Sequence, residues 1–315
     1  MKLRGIARII NAMGKTYSGL DRLPRGQASE KLTHGCLVLE GGAFRGLYTQ
    51  GFLDAMMVND LNLDCVIGVS AGALSGVSYV SGQIGRSGRI NLGYRHDSRY
   101  VGLRAFLHSR SLLDISFLTE DRGILEPMDG ERFDRPEQRF IAVATNCLTG
   151  EPAYFEKGIC SDIMLGVRAS ATMPYISPPV RIDGVPHLDG GCSCAIPFRW
   201  ALEQGYEKIL VIKTRDLTFR KETKTSSAAL RFYRKWPAFA RNLSVSTLRY
   251  NEECSEIERL HAEGRLFRIA PSRPVEVARV EKDVEKLGAL YWHGYQDCLD
   301  LQDEMRSYLG AGDET

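Results

Sequence analysis

Residues 63–72 read Leu63-Asp64-Cys65-Val66-Ile67-Gly68-Val69-Ser70-Ala71-Gly72. Leu63–Ile67 has the length and β-branched content of a buried strand. From Ala71 to about Val80 the chain is rich in small residues and continues as a helix. Ser70 therefore falls on a strand-to-helix turn, the context that a G-x-S-x-G nucleophile elbow requires. A turn this sharp lifts the hydroxyl clear of the sheet, and Gly68 and Gly72, two residues to either side, leave it room. The N-terminal end of the following helix offers its positive dipole to developing negative charge. The competing explanation is a tight turn with an incidental serine.

Upstream, Cys36–Glu40 is another short apolar run and reads as a buried strand, broken by Gly41 and Gly42 and followed by a helix over Leu47–Asn59. Downstream, Phe140–Ala144, Ile209–Lys213 and Leu266–Ala270 read as further strands, with a helix near Phe198–Glu203 before the second of them. Strands alternating with helices predict an α/β fold with a mostly parallel sheet covered on both faces. Residues 91–137 are richer in charge and read as helices or an insertion. No internal repeat of about 20–50 residues is present, so the chain reads as one domain.

Two other stretches can carry chemistry. Glu40-Gly41-Gly42-Ala43-Phe44-Arg45-Gly46 lies between the first strand and the first helix. Glycines there let backbone N–H groups converge on a phosphate or on the oxyanion of an acyl transfer. Nucleotide readings fit poorly. The dinucleotide fingerprint wants glycine where Ala43 stands, and a phosphate loop ends in Gly-Lys-Ser/Thr, not Arg45-Gly46-Leu47. Arg45 reads first as a loop-orienting cation and second as a contact for a substrate phosphate. The other stretch is Asp189-Gly190-Gly191, which alone is a common turn. It gains weight because a serine nucleophile needs a base and the histidines are poorly placed. His187 shares a face with Asp189 in an extended segment. A base histidine in the usual hydrolase order would follow Asp189, leaving His261, in a charged helical stretch, and His293, beside Tyr291-Trp292.

Taken in order, Gly41-Gly42-x-x-Arg45-Gly46, Gly68-x-Ser70-x-Gly72 and Asp189-Gly190-Gly191 resemble the patatin-like phospholipase family, its bacterial members most of all. The stretches Arg168-Ala169-Ser170-Ala171-Thr172-Met173-Pro174 and Asp189–Pro197 are also similar to that family. The resemblance covers residues 35–215. It implies a three-layer α/β/α sandwich and a Ser70–Asp189 dyad. In that reading Ser70 attacks an ester carbonyl, Asp189 takes its proton, and the N–H groups of Gly41, Gly42 and Ala43 hold the oxyanion. No metal and no cofactor are implied. Many members have a third glycine where this chain has Ala43. The expected layout is an extension over 1–33, the catalytic domain over 34–215 and a C-terminal helical part over 216–315 on the same domain. The expected activity is a lipid acyl hydrolase of the phospholipase A or lysophospholipase type. Its rivals are a small-acyl esterase or thioesterase, and a non-catalytic lipid-binding protein on the same fold.

Composition agrees with a globular chain: 315 residues, 43% hydrophobic, 25% charged, formal net charge +2. That balance gives no case for nucleic acid, and no binding motif accompanies the basic stretch. Eight scattered cysteines without a CxxC pair read as buried reduced thiols, with Cys192 and Cys194 flanking a small loop. Basic residues interrupt any signal-peptide core near the N-terminus, and no apolar run is long enough to span a bilayer. The expected location is the cytoplasm, including the inner membrane face. Residues 213–250 hold ten Lys or Arg against two acids, interleaved with Phe219, Phe232, Tyr233, Trp236, Phe239 and Tyr250. They read as a solvated basic helix pair packing its aromatics on the core, as a peripheral membrane contact, or as a mobile cover over the lipid site.

Overall fold

A computed structural model describes residues 16–101, 126–223 and 227–310. Residues 1–15 of the N-terminal extension, residues 102–125 of the charged stretch 91–137 and residues 224–226 of the basic stretch lie outside the described residues. Within that stretch, helix Arg86–Tyr94 reaches past its start and a one-turn helix covers Gly130–Phe133.

One eight-stranded sheet carries the fold. Its strands are β1 (Thr33–Leu39), β2 (Leu63–Val69), β3 (Arg139–Asn146), β4 (Pro152–Glu156), β5 (Val180–Ile182), β6 (Val185–Asp189), β7 (Ile209–Ile212) and β8 (Phe267–Ile269). The order across the sheet is β8-β7-β1-β2-β3-β6-β5, with β4 also on β3. β8, β7, β1, β2 and β3 run parallel, and β4, β5 and β6 form an antiparallel margin. The expected mostly parallel sheet is present, and so are the five strands read from the sequence. The antiparallel strands were missed.

The parallel strands are apolar on both faces because both are covered. Leu37 and Leu39 of β1, Phe140 and Ala142 of β3, and Leu210 and Ile212 of β7 share one core with helices α1 (Gly46–Val58), α2 (Ala71–Val80) and α9 (Val284–Leu309). The alternate residues Cys36, Val38, Ile141, Val143, Ile209 and Val211 face a second core with α5 (Phe198–Glu203) and α8 (Ser246–Ala262). Two cores on opposite sheet faces make the α/β/α sandwich. The remaining labelled helices are α3 (Arg86–Tyr94), α4 (Ile163–Ser170), α6 (Ser227–Phe232) and α7 (Pro237–Ser244).

Helix α1 is buried on all sides from Gly46 to Met57, as its near-continuous apolar sequence requires. It crosses α9 at very short range. A Cβ at Gly51 would strike the Tyr291 carbonyl, and one at Gly294 would strike the Tyr48 carbonyl. Tyr48 Oη donates to Asp297 at 2.9 Å, and Tyr291 Oη donates to Asp54 at 2.6 Å. The C-terminal helix thus clamps the helix that leads out of the glycine loop.

Candidate active site

Strand β3 acts as a ruler for the site. β2 pairs along one of its edges as far as Val69 opposite Val143. There β2 ends and turns into α2, and β6 takes over the vacated edge with Asp189 opposite Ala144. β4 occupies the opposite edge. Ser70 and Asp189 are therefore brought together by consecutive positions of one strand.

The turn itself is strained. Ser70 has φ 55° and ψ −118°, a region that non-glycine residues rarely adopt. It persists because the surroundings fix it. Ser70 N–H donates to Ser170 Oγ at 2.8 Å, and Ser170 Oγ–H donates to the Val143 carbonyl at 2.6 Å. Gly68 and Gly72 permit the fold-back: a Cβ at Gly68 would meet Ala73 N at 2.6 Å, and one at Gly72 would meet Leu39 O at 2.5 Å.

Asp189 is anchored through its backbone. Its N–H donates to Thr172 O at 2.8 Å and its carbonyl accepts from Thr145 Oγ1 at 2.9 Å. One carboxylate oxygen accepts from Gly191 N–H at 2.8 Å. Burial raises the carboxyl's pKa, against the lowering effects of a hydrogen bond from the Ser70 hydroxyl, the Gly191 bond and the charges of Arg279 and Lys221. A carboxylate of raised pKa that contacts a serine hydroxyl is a competent general base.

The glycine loop faces the same space. Among the described residues the N–H groups of Gly41, Gly42 and Ala43 have no acceptor, and all three residues line the chamber that Ser70 and Asp189 line. Ala43 has φ 50°, in the left-handed region that favours glycine. Glu40 fixes the loop's base by accepting from Thr214 N–H at 2.5 Å. Gly46 begins α1 with its Cα against Ala71, and the Gly190 carbonyl accepts from Ser193 and Cys194 N–H at 3.0 and 2.8 Å.

Two cavities meet at Ser70. One, of about 570 Å³, is the more polar of the two and includes Glu40, Arg45, Asp189, Gly191, Arg215, Lys221 and Arg279 in its wall. The other, of about 90 Å³, is mainly apolar and includes Phe44, Leu74, Val77, Ile90 and Val167. Ser70, Ala43, Met173 and Arg279 belong to both walls. Arg45 points to the polar side, and burial followed by the charges of Arg215 and Arg279 pushes it down to about 10.

Among the described residues no histidine lines either cavity. His187 is buried against Phe155 with Nδ1 2.9 Å from the Val185 carbonyl, and burial lowers its pKa. His261 sits by Leu266 and Arg268. His293 forms a second serine–histidine–aspartate group, but its Nε2 faces both Ser272 Oγ (2.9 Å) and Asp297 (3.2 Å). One nitrogen cannot both take a serine proton and be oriented by the acid, so this group is a structural tie between α9 and the Ser272 loop. All eight thiols are free, and among the described residues no cluster could hold a metal.

Sequence reading missed the groups that hold the site, namely Ser170, Thr145 and Thr172, and the cations Arg215, Lys221 and Arg279. Ser170 and Thr172 left a trace in the stretch beginning at Arg168, and Arg215 and Lys221 in the basic stretch 213–250. The basic-aromatic segment divides: Tyr233, Phe239 and Tyr250 are buried, whereas Phe232 is 63% exposed. No helix among the described residues is long and apolar enough to cross a membrane.

Residues 37–202, more than half of the chain, match the family model described as patatin-like phospholipase. Residues 236–310 match one described as a domain of unknown function (DUF6363). The chain is similar to the uncharacterized protein YjjU of Escherichia coli K12, 30% identical over 185 residues, 56% of this chain and 51% of that one. Similarity to lysophospholipase nte1 of Aspergillus terreus is 27% over 163 residues, 49% of this chain and 10% of that protein. An uncharacterized NTE family protein of Mycobacterium bovis is 26% identical over 184 residues, 55% of this chain and 46% of that one. The chain spans about half the length, or less, of these curated relatives. VipD from Legionella pneumophila aligns with a TM-score of 0.45 and 14% identity over 93% of this chain and 71% of that one.

Proposed function

Since the chain belongs to the patatin-like phospholipase family, we propose that it hydrolyses a carboxylic ester of a lipid with Ser70 as nucleophile and Asp189 as its base. Membership and the likeness to fungal lysophospholipases support lipid hydrolysis in general. The observation that supports the finer reading is the register on β3: Val69 opposite Val143 and Asp189 opposite Ala144, with the Ser70 hydroxyl in hydrogen-bond contact with a carboxyl of raised pKa.

The chemistry follows in two steps. Ser70 Oγ attacks the acyl carbonyl while Asp189 takes its proton. The oxyanion of the tetrahedral adduct sits among the Gly41, Gly42 and Ala43 amides, where each donor lost costs about 2.7–4 kcal/mol of transition-state stabilisation in comparable sites. Collapse breaks the ester C–O bond, and the leaving alcohol takes the proton from Asp189. Asp189 then removes a proton from water, which attacks the acyl-Ser70 ester; as the acyl C–Oγ bond breaks, Asp189 returns that proton to Ser70 Oγ and the fatty acid leaves. Strain at Ser70 φ 55° and its Ser170 tie keep the nucleophile in one orientation throughout.

The mouth favours a lipid surface. Tyr175 and Ile176 line the polar chamber and are 45% and 39% exposed, and the exposed Phe232 ring lies 5.2 Å from that of Tyr175. With the surrounding basic residues, this rim would sit on an anionic membrane face. The small apolar cavity favours a second reading, esters of short acyl chains. Rates on butyryl, octanoyl and palmitoyl esters of one head group separate the two.

The test is labelling of wild type and Ser70→Ala with a fluorescent fluorophosphonate, followed by mass mapping. A stoichiometric adduct on Ser70, absent in the variant, is expected. A folded wild type that takes no label would sink the proposal and leave lipid binding without turnover.

A further inference from the structure

The polar chamber carries more positive charge than the hydrolytic step uses. Arg45, Arg215, Lys221 and Arg279 line it, against the carboxylates of Glu40 and Asp189. Glu40 already spends one oxygen on Thr214 N–H. Among the described residues none of the four cations makes an ion pair within 4.0 Å. They are positioned by neutral groups instead. Arg215 Nη1 donates to the Val275 carbonyl at 2.7 Å and its guanidinium lies 4.4 Å from the Phe219 ring centre. Lys221 Nζ lies 3.8 Å from the Tyr250 ring centre, and the Lys221 backbone is held on both sides by Asn251. The Arg279 carbonyl accepts from Phe44 N–H at 3.4 Å, which ties its loop to the glycine loop. The Nε atoms of Arg45 and Arg215 are buried without partners.

Holding like charges this close is unfavourable. Arg45 is pushed down to about 10 by burial and by Arg215 and Arg279, and Lys221 is lowered by burial, with Arg279 and Arg45 adding to the effect. An anion among them would remove that penalty and accept charge-assisted hydrogen bonds.

We propose that the chamber ringed by Arg45, Arg215, Lys221 and Arg279 binds the phosphate of an acyl substrate whose head carries net negative charge, on the opposite side of Ser70 from the small apolar cavity. A quaternary ammonium head gains nothing from this wall and is repelled by it. The site therefore selects anionic lysolipids over choline-headed ones. Three of the four cations stand outside the glycine, serine and aspartate motifs, on the loops after β7 and before α9, so this specificity comes from the later part of the chain.

The assignment rests on the hydrolase reading, and the experiment separates the two. Binding of sn-glycerol 3-phosphate and of inorganic phosphate is measured calorimetrically on wild type, Ser70→Ala, Lys221→Gln and the exposed-site variant Arg279→Gln. In parallel, kcat/KM is compared for lysophosphatidic acid and lysophosphatidylcholine of equal chain length. The expected result is that glycerol 3-phosphate binds wild type and Ser70→Ala alike, and that each cation variant weakens it roughly tenfold. The anionic-to-choline ratio should exceed one in wild type and fall by a similar factor in both variants. Equal rates on the two lysolipids, or variants that bind as wild type does, would overturn the assignment while leaving the hydrolase intact. Inorganic phosphate binding as tightly as glycerol 3-phosphate, with no head-group preference, would make this a free-anion site and also overturn it. Charge-dependent glycerol 3-phosphate binding in a wild type that turns over no ester would keep the anion site and defeat the hydrolase reading instead.

Discussion

Ser170 Oγ accepts the backbone N–H of Ser70 at 2.8 Å and passes its own proton to the Val143 carbonyl at 2.6 Å. One buried hydroxyl thus locks the strained elbow of α2 to the strand that sets the register of Asp189. In Ser170→Ala both partners are left buried and unpaired, at about 1–3 kcal/mol each. Loss of about 2–6 kcal/mol in urea unfolding is expected, together with a lower kcat in the fraction that remains folded. Unchanged kcat would show that the tie supports the fold and not the nucleophile.

In the proposed mechanism Asp189 sets the pH dependence. Its working form is the carboxylate, and burial raises its pKa above the ordinary value. The acid limb of kcat/KM should therefore lie above about pH 3.9, the unperturbed aspartate value. Because the folded protein binds this proton more tightly than the unfolded chain, its contribution to stability is complete below the unfolded pKa and is lost as pH rises through the folded pKa. At neutral pH the ionised group costs stability. Asp189→Asn keeps an acceptor for Gly191 N–H and for Ser70, so it should be inactive and melt higher than wild type at neutral pH, with the difference shrinking toward acid. A lower Tm at neutral pH would contradict the raised pKa.

Ala43, at φ 50°, is the strained non-glycine residue of the glycine loop. An L residue pays about 1–2 kcal/mol in the left-handed region, and glycine loses about 0.4–1 kcal/mol by widening the unfolded ensemble. Ala43→Gly should therefore be neutral to about 1 kcal/mol stabilising, with activity retained because the N–H stays in place. Its methyl also lines both cavities, so KM for bulky esters should fall. Destabilisation beyond that range would mean that the methyl's packing outweighs the strain.

The exposed Phe232 beside Tyr175 carries the membrane reading. Phe232→Asp should reduce binding to anionic vesicles and hydrolysis of vesicle-borne substrate by roughly tenfold, the effect of placing a charge where apolar surface meets lipid. Hydrolysis of a soluble monomeric ester by the same variant is the internal reference. If both substrates suffer equally, the ring supports the chamber wall and not a membrane contact.

The parallel strands were legible because burial on both faces forces continuous apolar runs such as Cys36-Leu37-Val38-Leu39. The elbow was legible because its glycines are dictated by backbone contacts within a few residues. The antiparallel margin was not. β6 contains Pro186 and His187 and has no apolar alternation, and it is a strand only because β3 offers it a free edge beyond Val143. The cations of the polar chamber were hidden for a related reason. Lys221 and Arg279 sit in charged loops that read as solvent-facing, and only the folding-back of two distant segments turns them toward Ser70. Ser170 lay in a recognisable stretch, but its bond to Ser70 spans a hundred positions of sequence separation.

The crossing of α1 and α9 links the C-terminal helix to the chemistry. α1 starts at Gly46, immediately after the glycine loop, so its placement fixes where the Gly41–Ala43 amides point. At Gly294 a Cβ would enter the Tyr48 carbonyl, and backbone cannot give way as a side-chain tip does. Gly294→Ala should force the helices apart, stretching the Tyr48–Asp297 and Tyr291–Asp54 hydrogen bonds. Overpacking of this kind costs about 1–3 kcal/mol. If the clamp also sets the oxyanion loop, kcat should fall more than KM rises, although Gly294 touches neither cavity. A loss of Tm with unchanged kcat would confine the role of α9 to stability.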